Sequence, residues 1–538
     1  MKKTLLILFV LAAMVFTGAC QAAPTATPSP VPATPTPYVR PPVTMTVAGI
    51  QVEDTSGFPT GMDLSKNVWL DYYKEALDVT LTNKWVVPSA QADEKMNLQI
   101  SANDVPDLMK VNAVQFALLI ENDMAADLTA AYAKYESESL KTIANMDKGV
   151  ALKISSKEGK LLAIPFFNES VYTSSFWVRK DWLTTVGLGV PKTMEEVYAV
   201  AKAFVEQDPD GNSKKDTMGL GIQMSQRISS LEGVMTGFAA YPSKWVAGTD
   251  GKALLSAVSP NAKKSLDYLA RFYKDGLMSA EFATMTDNQI SESIVNGKCG
   301  LTTWPFWAPF WCLSNSKKTD PKADWVSFYA TEDGTSVKVP TNKTPSAYFV
   351  IRNGFEYPEI VVEMANKFAD ATIGENKVAD TEKFIQGPAG ENFWQFAQVY
   401  FWAPINQDIQ GFVTALEKKD KTLCPALRRG DFDGSLNYIN TGDIAGYASW
   451  LSFGPESQYL ANIKLLEAGS VEDGVYFGMG TPTMTSVGAD LDKILLQGYA
   501  KYISGESGVT FESIVNEWLA AGGQTITDEV NAEIASSK

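Results

Sequence analysis

The chain has 538 residues, 45% of them hydrophobic and 11% aromatic, so it can build large cores and should divide into at least two lobes. Its formal net charge of -16 argues against nucleic acid as a partner. The sequence has no histidine, which excludes Ser-His and Cys-His nucleophile systems and histidine metal sites. It also lacks a Gly-rich phosphate loop.

The N-terminus has the pattern of a secretory signal. Lys2 and Lys3 precede an apolar run from Thr4 to Phe16, and small residues then lead to Cys20. The apolar run is too short to span a membrane, so residues 1–19 are predicted to be a signal peptide. Small residues directly before a cysteine also resemble the bacterial lipobox, which implies that Cys20 is the first mature residue and carries a lipid.

The segment around the cysteine leaves an alternative open, because Thr17 stands where lipoboxes usually have Leu, Val or Ile. An ordinary signal peptide cut near Ala22-Ala23 would instead release a free secreted protein. Residues 20–43 are dominated by Pro, Thr, Ala and Ser and cannot bury a face, so they are predicted to form an extended tether. A lipid and a tether would hold a globular body on the extracellular face of a bacterial cell membrane.

Strand-like and helix-like segments alternate through the body of the chain. Thr44–Ile50 and Val79–Val87 are β-prone and flank a helical pattern over Leu64–Leu77, which predicts a βαβ opening. A helix is predicted after the capping box Thr193–Glu196, and its apolar face consists of Val197, Val200, Ala201, Phe204 and Val205. A second helix begins at Ser259-Pro260, and its apolar face consists of Leu266, Leu269, Ala270 and Tyr273. A strand is predicted over Ala347–Ile351, and a third helix over Phe511–Ala521 is ended by Gly522-Gly523. This alternation, without an obvious repeat, predicts α/β lobes.

Three cysteines remain after Cys20, namely Cys299, Cys312 and Cys424. An odd number excludes a full disulfide framework. Two alternatives follow: a bridge between Cys299 and Cys312, or buried free thiols throughout.

Several short segments, taken in order, resemble one protein family. They are Val105–Asp107, Gly159–Pro165, Trp177–Leu183, Gly187–Phe204, Asp208–Leu220, Asn296–Gly300, Gly387–Gly390 and Thr510–Asn531. Their order and spacing from about Asp104 onward are similar to those of the large carbohydrate-type (family 1) extracellular solute-binding lipoproteins of ATP-binding cassette (ABC) importers. The first hundred residues match this family only in general layout.

The resemblance implies a solute-binding domain over 44–538 with an α/β, two-lobed, periplasmic-binding-protein-like fold of type II. The lobes are expected at about 44–165 plus 335–400 and at about 166–334 plus 401–538, with a ligand cleft between them and a hinge. The implied function is to capture an oligosaccharide or polysaccharide fragment and deliver it to an ABC permease in the membrane. The protein is expected to act as a monomer and not as an enzyme.

A candidate calcium loop follows the predicted helix that starts near Thr193. Side-chain oxygens recur at steps of two, and a glycine permits a tight wrap, which suits a hard cation. The candidate ligands are Asp208, Asp210, Asn212, the backbone carbonyl of Lys214, and Asp216. The loop resembles one found at this point in the family, but Ser213 replaces the usual turn glycine and Gly219 stands where an EF-hand has glutamate. The alternative is a solvated acidic turn; a bound calcium would have a structural role.

The densest aromatic cluster, Trp304–Trp311, contains two prolines, which disfavour a regular helix. Flat rings on a stiff loop suit the CH faces of sugars, so Trp304 and Trp307 are candidate stacking residues. At least one of Trp304, Trp307 and Trp311 is nevertheless expected to be buried in a core.

Further candidate ligand contacts come from two other parts of the chain. Asn168, Glu169 and Tyr172 follow the segment where the family's chain crosses between lobes, and they are candidate partners for sugar hydroxyls. Trp402 and Trp450 are additional stacking candidates. The alternative is that these residues belong to ordinary surface loops or cores. Arg179 and Asp181, by contrast, are expected to pair with each other near a helix start in a structural role.

Two other function classes remain open at this point. A secreted glycan-active enzyme could work with two carboxylates, and any chain with 62 acidic residues offers such pairs by chance. A cell-surface adhesin could bind glycans without transport and would not need a hinge.

Overall fold

Strands and helices alternate along the chain in the computed structural model, which describes residues 40–51, 58–168, 171–224, 227–387, 391–403 and 409–536. The predicted signal peptide, Cys20 and residues 20–39 of the predicted tether therefore lie outside the described residues. The strands are β1 Val43–Gln51, β2 Val79–Pro88, β3 Leu108–Val111, β4 Ser156–Lys157, β5 Lys160–Leu161, β6 Ile164–Pro165, β7 Ser175–Arg179, β8 Trp245–Ala247, β9 Ala253–Leu255, β10 Leu301–Trp304, β11 Trp325–Phe328, β12 Val339–Pro340, β13 Tyr348–Ile351 and β14 Val471–Glu472.

The α-helices are unequal in length, from single turns to the long helix near the C-terminus. They are α1 Val68–Leu77, α2 Ala92–Ser101, α3 Ala113–Glu121, α4 Thr129–Tyr135, α5 Glu138–Ala144, α6 Val150–Ile154, α7 Lys180–Thr185, α8 Met194–Glu206, α9 Glu232–Met235, α10 Pro260–Lys274, α11 Asp287–Val295, α12 Cys312–Thr319, α13 Ile360–Ile373, α14 Lys377–Asp380, α15 Ile409–Lys418, α16 Arg429–Thr441, α17 Tyr447–Phe453, α18 Gln458–Glu467, α19 Pro482–Ile503, α20 Phe511–Trp518 and α21 Gln524–Ser536. Across the described ranges, no helix combines the length and the apolar character that crossing a bilayer requires.

The first sheet has the strand order β2-β1-β3-β13-β6. Strand β1 runs parallel to β2 and β3, which confirms the predicted βαβ opening, and β13 returns antiparallel to β3 and β6. Burial alternates along β1, with Val43, Met45 and Val47 inside, because successive side chains of a strand point to opposite faces. Strand β13 is buried throughout, as the apolar run over Ala347–Ile351 predicts.

The second sheet is built around β7, which pairs antiparallel with β10 on one side and β11 on the other. Every residue of β7 is buried, including the guanidinium-bearing Arg179. Arg179 donates to Asp181 at 2.7 Å from Nε and to Asp320 at 2.7 Å from Nη2. The predicted pairing of Arg179 with Asp181 is confirmed, and it satisfies a buried charge at the end of the central strand.

Helix boundaries follow the capping signals in the sequence. The capping box at Thr193 is present: Thr193 Oγ1 accepts from Glu196 N at 3.1 Å and Glu196 Oε2 accepts from Thr193 N at 3.1 Å. Helix α1 begins four residues later than predicted, because Asn67 caps it. In α10 the prediction named Ala270 and Tyr273 on the buried face; the structure instead buries Tyr268 and Phe272 beside Leu266 and Leu269, and leaves Ala270 and Tyr273 half-buried.

Two hydrophobic cores, each around its own sheet, form the two lobes. The first core collects buried residues from 43–167 and 347–403. The second collects residues from 176–330 and, near the C-terminus, from 491–530, with smaller clusters over 285–325 and 409–460 beside it. The first core ends at Phe167 and the second begins at Phe176; residues of the first core resume at Ala347, after Ala330 of the second, and end again at Ala403. Residues 169–170 and 404–408, which fall between these limits, lie outside the described part. These crossings create a cleft between the lobes.

Candidate functional site

A cavity of about 770 Å³ lies between the two cores and is lined by residues from both of them. The residues that belong to the first core or its edge include Lys110, Phe166, Asn168, Trp394, Tyr400 and Trp402. Those on the side of the second core include Tyr172, Phe306, Trp307, Phe310, Arg428, Asp431 and Phe453. Its volume falls in the range of cavities that enclose small organic ligands.

The first wall of the cavity consists of aromatic rings held at steep angles to each other. The rings of Trp394 and Trp402 lie 4.5 Å apart at 75°, and Tyr400 packs on Trp394 at 5.6 Å and on Phe166 at 5.4 Å. The backbone N–H of Trp402 donates to the carbonyl of Phe167 at 3.0 Å, which fixes the two crossing segments against each other. The rings are therefore positioned by the same segments that join the lobes.

The opposite wall is also aromatic, and part of it is exposed. The indole Nε1 of Trp307 donates to Tyr172 Oη at 2.6 Å, and Phe306 meets Tyr172 edge to face at 6.1 Å. Phe310 packs on Phe453 at 5.7 Å yet leaves 48% of its surface exposed, and Tyr172 leaves 41%. Large rings that remain exposed in a concave site are available to an apolar face of a ligand.

Amide and hydroxyl groups interrupt the aromatic walls. Asn168 lies at the junction: its Nδ2 donates to the carbonyl of Thr344, and its Oδ1 accepts from Ser346 Oγ at 2.9 Å. Further amides come from Asn342, Gln386 and Asn392 in the cavity lining. Flat apolar rings combined with short polar groups that both donate and accept match the two faces of a sugar.

Three charged side chains are found among the described lining residues. Arg428 Nη1 contacts Asp431 Oδ2 at 3.0 Å, and Asp431 Oδ1 accepts from Ser449 Oγ at 2.7 Å. Lys110 Nζ donates to Tyr400 Oη at 2.5 Å and lies 4.5 Å from the centroid of the same ring. The lysine therefore contacts aromatic groups, whereas the arginine and the aspartate neutralise each other.

A smaller, more polar chamber of about 180 Å³ adjoins the main cavity, and Tyr172 and Trp307 line both spaces. In this chamber Glu232 Oε1 accepts from Thr173 Oγ1 at 2.6 Å and from Ser174 N at 3.2 Å. Burial raises the pKa of the Glu232 carboxyl, although both hydrogen bonds act in the opposite direction.

Four of the predicted ligand contacts line the main cavity: Asn168, Tyr172, Trp307 and Trp402. Their presence there agrees with the role inferred from the sequence, and the role itself stays a prediction. Glu169 lies outside the described residues.

The structure places Trp304 in a core, and its role as a ligand contact stays a prediction. Its side chain is 7% exposed and packs on Trp311 at 5.1 Å inside a core, so it is the buried member that the aromatic cluster was expected to contain. The reason is that Trp304 ends strand β10 and pairs with Ser175, so the loop begins only at Pro305. It reaches the smaller chamber but not the main cavity.

The structure does not bring Trp450 to the main cavity, and its role as a ligand contact stays a prediction. It lies on α17, half-buried, where it packs on Tyr438 at 5.1 Å and on Tyr447 at 6.2 Å. Its concave surroundings are a small pocket with Lys180 and Glu456, separate from the main cavity. Helical spacing brings Trp450 and Tyr447 onto one face of α17, which directs the indole to a neighbouring helix and away from the cleft.

The sequence prediction missed Lys110, Trp394, Phe306, Phe310, Arg428 and Asp431. A signal was present for Lys110, because a lysine within the otherwise buried strand Leu108–Val111 has no apolar explanation. Trp394 and Arg428 lie in short helical turns with no distinctive spacing. Only the tertiary fold brings them to the cleft.

The loop predicted to hold calcium forms a network of internal hydrogen bonds. Asn212 Nδ2 donates to Asp210 Oδ2 at 2.6 Å and to Asp216 Oδ1 at 3.0 Å, while Asp208 Oδ2 accepts from Ser213 N at 2.9 Å. Asp208 Oδ1 is buried without a hydrogen-bond partner. Burial and the neighbouring Asp208 carboxylate raise the pKa of Asp210. Within the described ranges, no three carboxylate or thiol side chains converge as a ready-made metal site.

The three late cysteines are buried free thiols, which decides between the two alternatives and excludes the bridge between Cys299 and Cys312. Burial raises the pKa of each thiol to about 12. They play no part in the cleft.

Known proteins are similar to this chain over most of its length. The family model described as bacterial extracellular solute-binding protein matches residues 61–371, which is more than half of the chain. Lipoprotein LipO of Bacillus subtilis (strain 168) is 24% identical over 475 residues, covering 84% of this chain and 86% of its own length. The polygalacturonan/rhamnogalacturonan-binding protein YtcQ of the same organism is 27% identical over 230 residues, 42% of this chain and 43% of YtcQ.

The fold is similar to that of a solved solute-binding protein. The structure of the ABC-transporter substrate-binding protein FusA of S. pneumoniae in complex with kestose superposes with a TM-score of 0.61 at 16% identity, covering 92% of this chain and 100% of that one. This likeness confirms the predicted two-lobed, periplasmic-binding-protein-like α/β fold. On the extent of the family match, this chain belongs to the bacterial extracellular solute-binding protein family.

Proposed function

We propose that this chain is the substrate-capture subunit of an ABC importer: it binds an oligosaccharide between its lobes, releases it unaltered and delivers it to a membrane permease. The observation that carries the proposal is the cavity of about 770 Å³ with aromatic rings on both walls and amide groups between them. Sugars present apolar CH faces and a rim of hydroxyls, and this lining offers partners for both. The ligands named for YtcQ and FusA are likewise glycans.

Closure of the two lobes around a ligand gives the protein a conformation that the permease can distinguish from the open one. A ligand that contacts rings from both walls binds the closed arrangement more tightly than the open one, so it shifts the population toward closure. Micromolar affinity corresponds to a binding free energy of about 8 kcal/mol. The part of this free energy that requires ligand contacts with both lobes shifts the open–closed equilibrium toward the closed state.

The glycan-active enzyme remains the competing class, and the described lining argues against it. Glycoside hydrolysis needs two carboxyl groups across the scissile bond. Among the described residues of the main cavity, the carboxyl group is that of Asp431, which is engaged by Arg428 and Ser449. A pair of free carboxylates is therefore not formed by these residues.

The test is calorimetric titration of the mature protein with a panel of oligosaccharides, followed by analysis of the recovered sugar. Capture predicts saturable binding and an unchanged ligand. Released products or a shortened glycan would overturn the proposal in favour of catalysis.

The anchoring that we propose follows from the sequence. Cys20 would carry a lipid and residues 20–43 would tether the monomeric receptor to the extracellular face of the cell membrane. LipO, whose similarity extends over most of both chains, is named a lipoprotein. Metabolic labelling with a fatty acid tests this: the native chain should incorporate label, and Cys20→Ser should not.

We also propose that the loop over 208–217 binds calcium in a structural role. One support is that Asp208 Oδ1 is buried without a hydrogen-bond partner, which a cation would supply. The other is that the pKa of the neighbouring Asp210 is raised, and a cation would relieve the repulsion between the Asp208 and Asp210 carboxylates. Asp208, Asp210, Asn212, Asp216 and the carbonyl of Lys214 would hold it. In the structure, Asn212 Nδ2 instead donates hydrogen bonds to Asp210 Oδ2 and Asp216 Oδ1.

A further inference from the structure

The main cavity has a net positive lining in a strongly acidic protein. Its charged groups among the described residues are Lys110, Arg428 and Asp431, whereas the chain as a whole carries -16. The side chains of Arg428 and Asp431 are 10% and 8% exposed and form an ion pair, so their charges offset each other. What remains is the ammonium group of Lys110.

The surroundings of Lys110 hold this charge in place without neutralising it. Its Nζ donates to Tyr400 Oη at 2.5 Å and lies 4.5 Å from the Tyr400 ring centroid and 5.7 Å from that of Phe166. None of the ion pairs between described residues includes Lys110. Aromatic faces attract a cation, so they stabilise the position of Nζ, but they do not cancel its charge as a carboxylate does.

Closure of the cleft makes this charge important. An ammonium group has three N–H donors, and Tyr400 accepts from one of them, so two are left for a ligand. When a ligand displaces water from a cavity walled by rings, an uncompensated cation loses solvation and becomes costly. A neutral hydroxyl can accept a hydrogen bond but cannot compensate the charge, whereas an anionic group does both.

We propose that Lys110 binds an anionic group of the ligand, so that the preferred substrate class is an acidic oligosaccharide. This inference rests on the proposed capture of a glycan in the same cavity. The shared chemistry is an anion carried on a sugar, which can be the carboxylate of a uronate or a sulfate ester. Lys110 is the specificity-determining residue, and the aromatic walls contact the sugar rings.

The experiment compares ligands that share a skeleton and differ in charge. The mature protein is titrated calorimetrically with a uronate tetrasaccharide, with the neutral methyl ester of the same tetrasaccharide, and with a sulfated tetrasaccharide. The variants are Lys110→Gln, which removes the charge, and Lys110→Arg, which keeps it. Lys66→Gln is the matched control, because Lys66 is exposed and does not line the cavity.

We expect at least one acidic tetrasaccharide to bind tenfold or more tightly than the neutral ester. Lys110→Gln should weaken the acidic ligand by roughly 30-fold or more, the usual consequence of removing one partner of an enclosed charge pair, and should change binding of the ester by less than about threefold. Lys110→Arg should keep most of the discrimination, and Lys66→Gln should change nothing. Which acidic ligand binds identifies the anion as carboxylate or sulfate.

Added salt provides a second measurement, independent of any variant that fails to fold. Affinity for the acidic ligand should fall as ionic strength rises, and affinity for the ester should not. Neutral glycans that bind as tightly as acidic ones, with a ratio unchanged in Lys110→Gln and in salt, would overturn this inference but leave glycan capture standing. Failure of every glycan to bind would overturn both.

Discussion

Trp307 and Tyr172 are joined by a hydrogen bond of 2.6 Å from the indole Nε1 to the phenol Oη, although they are 135 residues apart in the sequence. Tyr172 lies on a segment that crosses between the lobes, and Trp307 follows strand β10 of the second lobe. Both side chains line the main cavity and the smaller polar chamber beside it. The pair therefore connects the ligand cleft to the part of the chain where a hinge motion must act.

Trp307→Ala is expected to reduce glycan affinity with little loss of stability. The side chain is partly exposed in the cavity, and removing an aromatic residue from the centre of a binding site typically costs 2 kcal/mol or more, which is a loss of about 30-fold. Calorimetric titration and thermal melting of the same preparation measure both quantities.

Trp304→Ala is the matched comparison in the same motif and should behave in the opposite way. Trp304 is buried in a core, so truncation should lower the free energy of unfolding by about 3 to 5 kcal/mol. If Trp304→Ala left the melting temperature unchanged but abolished binding, the assignment of the two tryptophans would have to be exchanged.

Removal of calcium is expected to lower the melting temperature of the native chain. Binding only to the folded state adds about 2.7 kcal/mol at a hundredfold excess of ligand over its dissociation constant. Asp210→Asn should abolish the response to calcium, and it should raise the melting temperature of the metal-free protein, because the raised pKa of Asp210 reflects burial and repulsion from Asp208. Equal melting curves of the native chain with calcium and with chelator would contradict the assignment.

Asp107 connects strand β1 to the residue that follows strand β13 through hydrogen bonds of its carboxylate. Removing this carboxylate should change the pH dependence of the free energy of unfolding. It accepts from Thr46 N at 2.8 Å, from Thr46 Oγ1 at 2.7 Å and from Arg352 Nη2 at 2.7 Å. Burial alone would raise the pKa of Asp107, but these hydrogen bonds outweigh it and lower the pKa. Asp107→Asn should therefore reduce the free energy of unfolding at pH 7 by about 1 to 3 kcal/mol.

The sign of the pH effect follows from the lowered pKa. The contribution of the Asp107 carboxylate is complete above the ordinary aspartate pKa of about 3.9 and disappears as the pH falls through the lowered folded value. Denaturant titrations at pH 7, 4 and 3 should thus show the native chain and Asp107→Asn converging below about pH 4. Asp104→Asn is the control, since its ion pair with Lys84 is exposed and should contribute less than about 1 kcal/mol. A constant difference at every pH would contradict this account.

The three late thiols should be unreactive in the folded protein. Burial raises the pKa of Cys299 and Cys312 to about 12, so the reactive thiolate is scarce at neutral pH. A Cys20→Ser chain should react with a thiol reagent only after denaturation, and then with three equivalents. Reducing agent should leave its melting temperature unchanged. A native chain that loses stability on reduction would indicate a disulfide after all.

Local chemistry made several elements predictable. The capping box at Thr193, the alternation along β1 and the apolar run of β13 each depend on neighbours in the sequence, and each forms where predicted. Helix α1 differs at its start because Asn67 competes as a cap, accepting from Trp69 N and Leu70 N.

The candidate site was only partly predictable, because burial is decided by partners distant in the sequence. Trp304 and Trp307 belong to one aromatic run, yet pairing of β10 with β7 buries the first and leaves the second at the cleft. Trp394 and Arg428 reach the cavity from opposite lobes. Nothing in their immediate sequence separates them from ordinary core aromatics and surface arginines.

The most direct test of the central claim is small-angle X-ray scattering of the mature protein, alone and saturated with a bound oligosaccharide, with the sugar recovered and weighed by mass spectrometry afterwards. We predict a smaller radius of gyration on saturation and a sugar of unchanged mass, with a smaller contraction in Trp307→Ala at the lowest ligand concentration that saturates the native chain. Identical scattering with and without a ligand that calorimetry shows to be bound, or a recovered sugar of altered mass, would contradict capture by closure of two lobes.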